Sequence, residues 1–435
     1  MTGGTGPAAT TSPAGTAGAA RTVGTTTTSR TAGSDGEPLP LTLPDGSPAA
    51  AAWTLDPGLL HLNHGSYGAV PRAAQAAQQR WRDAMEQSPP GWFADLPAAV
   101  ATARGEVAAF VGVPDRDLAF VTNASAGASI VLASLPGRQG DEIVVTDHGY
   151  GAVTMGAERW ARRHGGRVRT ARIPLDATAA DAHDAVAAEI GDRTVLVVVD
   201  QITSATARTL PVAEITRSAH ARGVPVLVDA AHAPGAQPRP AAGLDCDFWV
   251  GNLHKFACAP RGTAVLVARG PLAARLYPSI DSWATHQPFP DRFDTQGTVD
   301  ATSHLAAPAA LDFVARTWGW GTVRDYAGRL LDHATETVAA AFAALTGADH
   351  RVGTGTPVGP LRLVRLPGAL AGTPEGAHAV RDRLLAELDV EAAVTEFGGA
   401  GYLRLSAHAY NTADEYQQFA DRAVPALVAW SRAVP

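Results

Sequence analysis

Short apolar runs alternate with longer helical stretches from residue 118 to residue 268, and this alternation constrains the fold more than any other feature of the chain. The runs are "LAFVT" (118–122), "EIVVT" (142–146), "RVRTARI" (167–173), "TVLVVV" (194–199), "PVLVD" (225–229), "DFWVG" (247–251) and "TAVLVA" (263–268). Continuous apolar strands that alternate with helices are typical of a mostly parallel sheet covered on both faces. The sequence therefore predicts an α/β fold with seven such strands and a ligand site at their carboxyl ends.

The two ends of the chain have different compositions. Residues 1–50 are rich in Thr, Ala, Gly, Ser and Pro and are predicted to be a disordered tail, because they bury too little apolar surface to offset the entropy of ordering. Residues 51–72 are interpreted as an N-terminal segment that packs at the active site, and 73–300 as a large domain. A helix is predicted from 73 to the Pro-Pro-Gly at 89–91. Helices followed by strands over 301–435 predict a smaller α+β domain.

Charge and cysteine usage exclude several classes of protein. The net charge is −7 and the arginines are scattered, so neither nucleic acid nor a membrane surface is an expected partner. Cys246 and Cys258 form no disulfide framework and lack the partners of a zinc site, so we expect no metal and a reducing compartment. No run approaches the roughly 20 apolar residues that span a bilayer, and we expect a cytoplasmic protein.

Charged side chains follow two of the predicted strands. Asp229 ends "VPVLVD", His232 lies three residues further on, and Lys255 follows the next strand in "GNLHKFACAP". The carboxyl ends of neighbouring parallel strands meet at one edge, so Asp229 and Lys255 can converge on a ligand there. Each residue also has an ordinary interpretation, as a helix cap for Asp229 and as a surface residue for Lys255.

A lysine and an aspartate at this edge suit pyridoxal 5'-phosphate (PLP). The lysine amine bonds covalently to the cofactor aldehyde, and the aspartate keeps the ring nitrogen protonated so that the ring can accept electrons. The turn in "FVTNASAGASIVLASL" opens a helix whose free N–H groups suit a phosphate dianion. An ordinary helix cap is the alternative interpretation of that turn.

The ordered series "LNHGSYG", "TNASAGAS", "TDHGYGA", "VDAAHAPG", "GNLHKFACAPRG", "RFDTQGTVD" and "LRLSAHAYNT" resembles the PLP-dependent class V aminotransferases of fold type I. Within that family it is most similar to the isopenicillin N epimerases. The resemblance runs from about 55 to 425. It implies that Lys255 is the Schiff-base lysine, that Asp229 pairs with the ring nitrogen, and that His232 flanks the phenolic oxygen. It also places Thr203 and Ser204 along the same edge.

Further roles follow from the same resemblance. The phosphate is expected to bind to Ser125, to the amide of Ala126, to Asn252 and to His254. Thr298 is expected to complete the phosphate site of a second subunit, which implies a homodimer with active sites at the interface.

The resemblance also predicts groups around the substrate. Arg404 is expected to bind the substrate α-carboxylate, for which its planar fork is suited, although a surface arginine on a strand edge is the alternative. Both His148 and Tyr150 are candidates to stack on the cofactor ring, and we prefer Tyr150. His64 is expected to approach the substrate from the N-terminal segment, with a structural role as the alternative.

Several reactions share these residues. PLP makes the Cα–H of an amino acid acidic, and the protein then determines whether epimerisation, transamination or β-elimination follows. We predict an isopenicillin N epimerase-like enzyme acting on an amino acid or aminoacyl side chain, with a class V aminotransferase or a cysteine desulfhydrase-like C–S lyase as the alternative. A cysteine desulfurase is disfavoured, because "VEAAVTEFGGAGYLRLS" has no cysteine before the arginine strand. A PLP-binding regulator is disfavoured by the absence of a DNA-binding module.

Overall fold

All seven apolar runs form strands of one sheet in the computed structural model, which describes residues 36–356 and 359–433. The strands are β1 (Leu60–His61), β2 (Leu118–Val121), β3 (Glu142–Thr146), β4 (Arg167–Ala171), β5 (Thr194–Asp200), β6 (Val226–Asp229), β7 (Phe248–Asn252), β8 (Ala264–Ala268), β9 (Leu361–Arg365), β10 (Val390–Glu391), β11 (Ala393–Phe397) and β12 (Ala400–Ser406). The large sheet has the order β2-β8-β7-β6-β5-β3-β4, and β8 runs antiparallel to both of its neighbours. The prediction of a mostly parallel seven-stranded sheet is confirmed.

The helices are α1 (His64–Tyr67), α2 (Arg72–Gln87), α3 (Pro89–Val111), α4 (Ala124–Ser134), α5 (Gly151–His164), α6 (Ala179–Glu189), α7 (Val212–His220), α8 (Gly270–Ala273), α9 (Thr302–Thr317), α10 (Trp320–Thr346), α11 (Pro374–Leu388) and α12 (Ala413–Ser431). Short 3-10 turns lie at Ala49–Ala52, Asp115–Asp117 and Asp291–Phe293. In the described part of the chain, none of these helices is both long and apolar enough to cross a bilayer.

Helices cover both faces of the large sheet. Leu196 and Val198 of β5 lie in the apolar cluster that includes α4 and α5, whereas Val197 and Val199 lie in the cluster with α3, α6 and α7. This alternation is the period of two that a strand imposes on its side chains. Because both faces are buried, the carboxyl edge of the sheet is left for polar groups and a ligand.

A second, smaller core lies beyond the large domain. It is formed by α10, α11 and α12 packed on the antiparallel sheet β11-β12-β9. Leu60 and Leu62 of the N-terminal segment join this core, and β1 pairs in parallel with β10. The N-terminal segment therefore packs on the small domain, in addition to its predicted packing at the active site.

Three sequence-based boundaries change in the structure. Residues 36–50, assigned to the disordered tail, pack on the protein: Leu41 contacts the small core, and Trp318 Nε1 donates to the carbonyl oxygen of Thr42 at 2.7 Å. Residues 1–35 of that tail lie outside the described residues. Helix α9, assigned to the small domain, contributes Leu305 and Leu311 to the core of the large domain. The periodicity of a helix predicts which of its faces is apolar. It does not predict on which domain that face packs, because this depends on long-range contacts.

The Pro-Pro-Gly sequence at 89–91 is the third difference. It ends the helix predicted from 73, since α2 stops at Gln87, but it also forms the first turn of a second helix, α3. Proline is suited to the first helical position, where its missing N–H would have no partner within the helix. Residues 89–97 are therefore helical. Trp92 and Leu96 lie in the core of the large domain.

Candidate active site

A cavity of about 420 Å³ lies where β5, β6 and β7 end. It is lined by Ser66, Tyr67, Thr122, Asn123, Ser125, Tyr150, Asp200, Ser204, Asp229, Ala231, His232, Asn252, His254, Lys255, Arg261 and Gly262. Eight of the residues singled out from the sequence are in this lining, namely Ser125, Tyr150, Ser204, Asp229, His232, Asn252, His254 and Lys255. The carboxyl edge of the sheet therefore holds the site, as the strand pattern predicts.

Lys255 lies in the turn that follows β7 and is buried. Its Nζ is 3.0 Å from Nε2 of His232. Burial and the nearby Arg404 guanidinium lower the pKa of Lys255 to about 7, although the carboxylates of Asp229 and Asp200 act in the opposite direction. An amine with this pKa is substantially uncharged at neutral pH, which is the state that attacks a carbonyl group.

Asp229 is the last residue of β6, and only one of its two carboxylate oxygens accepts a hydrogen bond. Oδ1 accepts a hydrogen bond from the Ala231 N–H at 3.0 Å, whereas the buried Oδ2 has no partner among the described residues. Burial raises the pKa of Asp229, because the charged form loses its hydration. A buried carboxylate oxygen without a donor fits a ligand that brings a charged N–H, as the protonated ring nitrogen of PLP does.

The amino end of α4 forms the other end of the cavity. Asn252 Oδ1 accepts from the Ala124 N–H at 2.8 Å, which leaves the Asn252 amide nitrogen available as a donor. Ser125 and His254 line the cavity nearby, and burial lowers the pKa of His254 to about 4. The helix dipole and these polar groups suit a phosphate.

The Ala126 amide, which is expected to bind the phosphate, already has a hydrogen-bond partner in the structure. This N–H donates to Oδ1 of Asn123 at 2.8 Å, which is the ordinary cap of an α-helix. Ala126 is also absent from the cavity lining. A phosphate-binding turn and a capped helix have the same sequence pattern, so the two interpretations were not separable before the side-chain positions were known.

Arg404 of β12 is buried, with only 4% of its surface exposed. Nη1 donates to the Ser204 carbonyl oxygen at 2.6 Å and Nη2 to Ser66 Oγ at 2.9 Å, while Nε has no partner. Within residues 36–356 and 359–433, no carboxylate lies within 4.0 Å of the guanidinium. Burial lowers its pKa to about 10. A buried cation without a counter-ion fits an anionic ligand such as an α-carboxylate.

The two candidates for stacking on the ring differ in position. Tyr150 lines the cavity just before α5 and is 44% exposed. His148 is buried, with Nδ1 2.6 Å from Thr206 Oγ1 and Nε2 2.7 Å from the Ile173 carbonyl oxygen, and burial lowers its pKa. Tyr150 thus lines the cavity, whereas both nitrogens of His148 are engaged away from it, and the stacking of Tyr150 on the ring stays a prediction.

His64, Thr203 and Thr298 lie outside this cavity. His64 is buried, with Nδ1 3.0 Å from the Tyr410 hydroxyl and Nε2 3.1 Å from the Lys255 carbonyl oxygen. Both ring nitrogens are therefore engaged at the lysine turn, which fits the structural role given as the alternative to contact with the substrate. Thr203 is buried and bonds to Thr206, also away from the cavity. Thr298 is exposed on the surface, where a second subunit would have to bring it to a site.

Helix α1 carries two residues that the sequence analysis missed. Ser66 and Tyr67 line the cavity, and Ser66 also supports Arg404. Gly68 ends α1 with φ +67°, and a Cβ there would lie 1.9 Å from the His254 carbonyl oxygen. Only glycine allows α1 to lie this close to the lysine turn, which accounts for the last residue of "HGSYG".

The sequence-based prediction of the site also omitted Asp200 and Arg261, which line the cavity. Asp200 ends β5 and lines the cavity beside Asp229, and Arg261 lines it near the surface. The rule that singled out Asp229, a carboxylate directly after a buried strand, applies equally to Asp200 in "VLVVVD". A signal for Asp200 was therefore present. None was present for Arg261, whose position depends on the turn after Lys255.

Together the fold and the site define a PLP-dependent enzyme of fold type I. The family model "Aminotransferase class-V" matches residues 70–351, and the chain belongs to this family, whose cofactor is PLP. The orphaned Asp229 Oδ2, the buried lysine amine and the polar amino end of α4 fit that group.

Among curated proteins, the chain is 32% identical to isopenicillin N epimerase of Streptomyces clavuligerus, over 88% of this chain and 98% of that protein. It is 30% identical to isopenicillin N epimerase of Amycolatopsis lactamdurans, over 86% and 98%. It is 29% identical to a putative L-cysteine desulfhydrase of Oryza sativa subsp. japonica, over 86% and 84%. Among solved structures, the cystine C–S lyase C-DES has a TM-score of 0.72 at 21% identity, covering 84% of this chain and 97% of that one. The last similarity concerns the fold alone.

Proposed function

We propose that this enzyme inverts the configuration at the α-carbon of an amino acid or aminoacyl side chain, as an isopenicillin N epimerase-like enzyme. The observation that carries the proposal is the similarity to two isopenicillin N epimerases over 98% of each of those proteins. A C–S lyase of the cysteine desulfhydrase type or an aminotransferase is the second candidate, supported by the similarity to the Oryza protein. All of these reactions begin by removing the α-proton.

The roles of the side chains follow from their positions. PLP, when bound, stabilises the negative charge that develops at the α-carbon. Lys255 Nζ holds the cofactor and, once released by the substrate, takes the α-proton on its own face. Inversion then requires a proton to be delivered to the opposite face of the α-carbon. His232, 3.0 Å from Nζ, orients this amine, and burial keeps the His232 pKa well below its ordinary value, so that the imidazole is neutral. Arg404 binds the α-carboxylate, and Asp229 binds the ring nitrogen.

Sulfur transfer through a protein persulfide is disfavoured by both cysteines. Cys246 and Cys258 are buried, and burial raises the pKa of the Cys246 thiol to about 11 and that of Cys258 further. A persulfide carrier requires an accessible thiolate, and burial opposes both requirements.

The reaction is tested in deuterated water with a panel of L- and D-amino acids and isopenicillin N. We expect the product of inverted configuration to carry one deuterium at the α-carbon, as measured by chiral chromatography and mass spectrometry. Lys255→Ala is the control that removes the proposed base. Release of sulfide and keto acid would identify the lyase, and amino transfer to a keto acid the aminotransferase. Either result without inversion on any substrate would contradict the epimerase proposal.

We further propose that the enzyme is a homodimer whose interface includes the segment 275–300. This segment carries exposed apolar side chains, among them Trp283, which is fully exposed, and Ile280. It also carries Thr298, the residue expected to reach the partner's phosphate site. Exposed apolar side chains clustered in one segment are typical of an association surface.

The dimer is tested with Trp283→Asp. We expect this variant to sediment as a monomer and to bind PLP more weakly, because the partner's Thr298 is lost from each site. The control is Met155→Asp, which changes an exposed apolar side chain outside this segment, on α5 (66% exposed). A Trp283→Asp protein with the same mass and PLP affinity as the wild type would refute this interface. The buried, unpaired cysteines are consistent with the proposed cytoplasmic location.

A further inference from the structure

Asp200 and Asp229 form a pair of carboxyl groups at the bottom of the cavity. They are register partners at the ends of the neighbouring parallel strands β5 and β6, so both side chains emerge on the same side of the sheet. Both are buried, with 4% and 3% of their surfaces exposed, and both line the cavity. The cofactor ring has one nitrogen for one carboxylate, so the chemistry described above gives Asp200 no role.

The groups around Asp200 determine whether its carboxyl group is protonated or ionised. The charged groups that face it are Asp229 on β6 and Lys255 after β7, and its oxygen accepts a hydrogen bond from the Tyr150 N–H before α5. The other titratable groups of the cavity lining are His232, His254, Arg261 and the phenols of Tyr67 and Tyr150, and Arg404 approaches from β12. Burial and the neighbouring Asp229 both raise the pKa of Asp200 well above its ordinary value.

Two adjacent buried carboxylates repel each other, so one of them retains a proton. Asp229 has the orphaned oxygen and the Ala231 N–H, and it is the one that a cationic ring nitrogen keeps ionised. Asp200 is therefore the carboxyl group that retains the proton.

We propose that Asp200 is a positioning residue of the cofactor site, which stays protonated beside the ionised Asp229 and so limits this edge of the sheet to a single negative charge. Its carboxyl group accepts a hydrogen bond from the Tyr150 N–H and thereby fixes the turn that brings Tyr150 over the cavity. The proposal rests on the PLP site and not on the reaction proposed above.

Asn has the shape and charge of a protonated Asp, which makes Asp200→Asn the informative variant. We expect its Kd for PLP to lie within about threefold of the wild-type value, and the pH at which the visible absorption of the lysine-bound cofactor changes to be the same. Asp200→Ala removes the acceptor for the Tyr150 N–H and is expected to bind PLP about tenfold more weakly. Circular dichroism and thermal unfolding show whether both variants are folded.

If Asp200 were ionised, Asp200→Asn would remove a negative charge beside the ring and the lysine. The spectral transition would then move to lower pH by about one unit or more, which would overturn the proposal. An Asp200→Ala protein with wild-type PLP affinity would also overturn it. The matched control is Asp229→Asn, which is expected to lower the pH of the spectral transition and to weaken PLP binding. If Asp229→Asn changes neither, the assignment of the ring-binding site fails and this inference fails with it.

Discussion

Replacement of Lys255 by Ala is expected to lower turnover by at least roughly 10²–10⁴-fold, because it removes both the covalent attachment of the cofactor and the base that moves the α-proton. Lys255 is the only lysine in the chain. Borohydride reduction of the wild-type enzyme with PLP is therefore expected to label a single lysine peptide, and the variant none. The visible absorption of the lysine-bound cofactor disappears in parallel.

Lys255→Arg separates charge from covalent chemistry. It retains a cation near Asp229 and Asp200, but its guanidinium stays protonated and does not attack an aldehyde. We expect it to be as inactive as Lys255→Ala while retaining more noncovalent affinity for PLP. A borohydride-stable adduct in either variant, or turnover within tenfold of the wild type, would contradict the assignment of Lys255.

Replacement of Arg404 by Ala is expected to lower kcat/KM by roughly 10²–10³-fold, because a buried charge pair with the substrate carboxylate is lost. The loss should be much smaller for amine substrates that lack the carboxylate. We expect Arg404→Ala to lower the free energy of unfolding less than the loss of a buried arginine from an ion pair does. Arg404 has no carboxylate partner among the described residues, and its Nε has no hydrogen-bond acceptor. Steady-state kinetics and thermal unfolding measure the two effects.

Arg365→Ala is the matched control for Arg404. Arg365 lies on the adjacent strand β9 of the same sheet and is exposed. Its loss is expected to leave kcat/KM within about twofold. Equal effects of the two substitutions, or an equal loss for substrates with and without the carboxylate, would show that Arg404 does not recognise this group.

The main features of the fold and the site were predictable because they depend on local patterns. An apolar run with β-branched residues forms a strand that is buried on both faces, and the chemistry of a parallel sheet concentrates at the ends of its strands. Asp229 ends one such run and Lys255 lies four residues after the next, so their convergence depended only on the two strands being neighbours, which β6 and β7 are. The resemblance of the seven ordered motifs to the class V aminotransferases then indicated PLP as the cofactor.

Side-chain direction and long-range packing were not predictable in this way. His148 and Tyr150 are two residues apart in one motif, yet the turn before α5 buries the first and turns the second to the cavity. His64 is in a motif of the site, but Tyr410 and the Lys255 carbonyl oxygen engage both of its nitrogens. Helix α9 packs on the large domain because α2 and α3 lie beside it.

The sequence by itself determined the class of fold, the edge of the sheet that holds the candidate site, and the lysine proposed to hold the cofactor. Each of these follows from which residues are adjacent along the chain. The tertiary structure alone decided that Asp200 stands beside Asp229, that Asp229 Oδ2 is left without a partner, and that Arg404 is buried without a counter-ion. These features depend on strand register and on burial, which arise only when segments far apart in the sequence pack together.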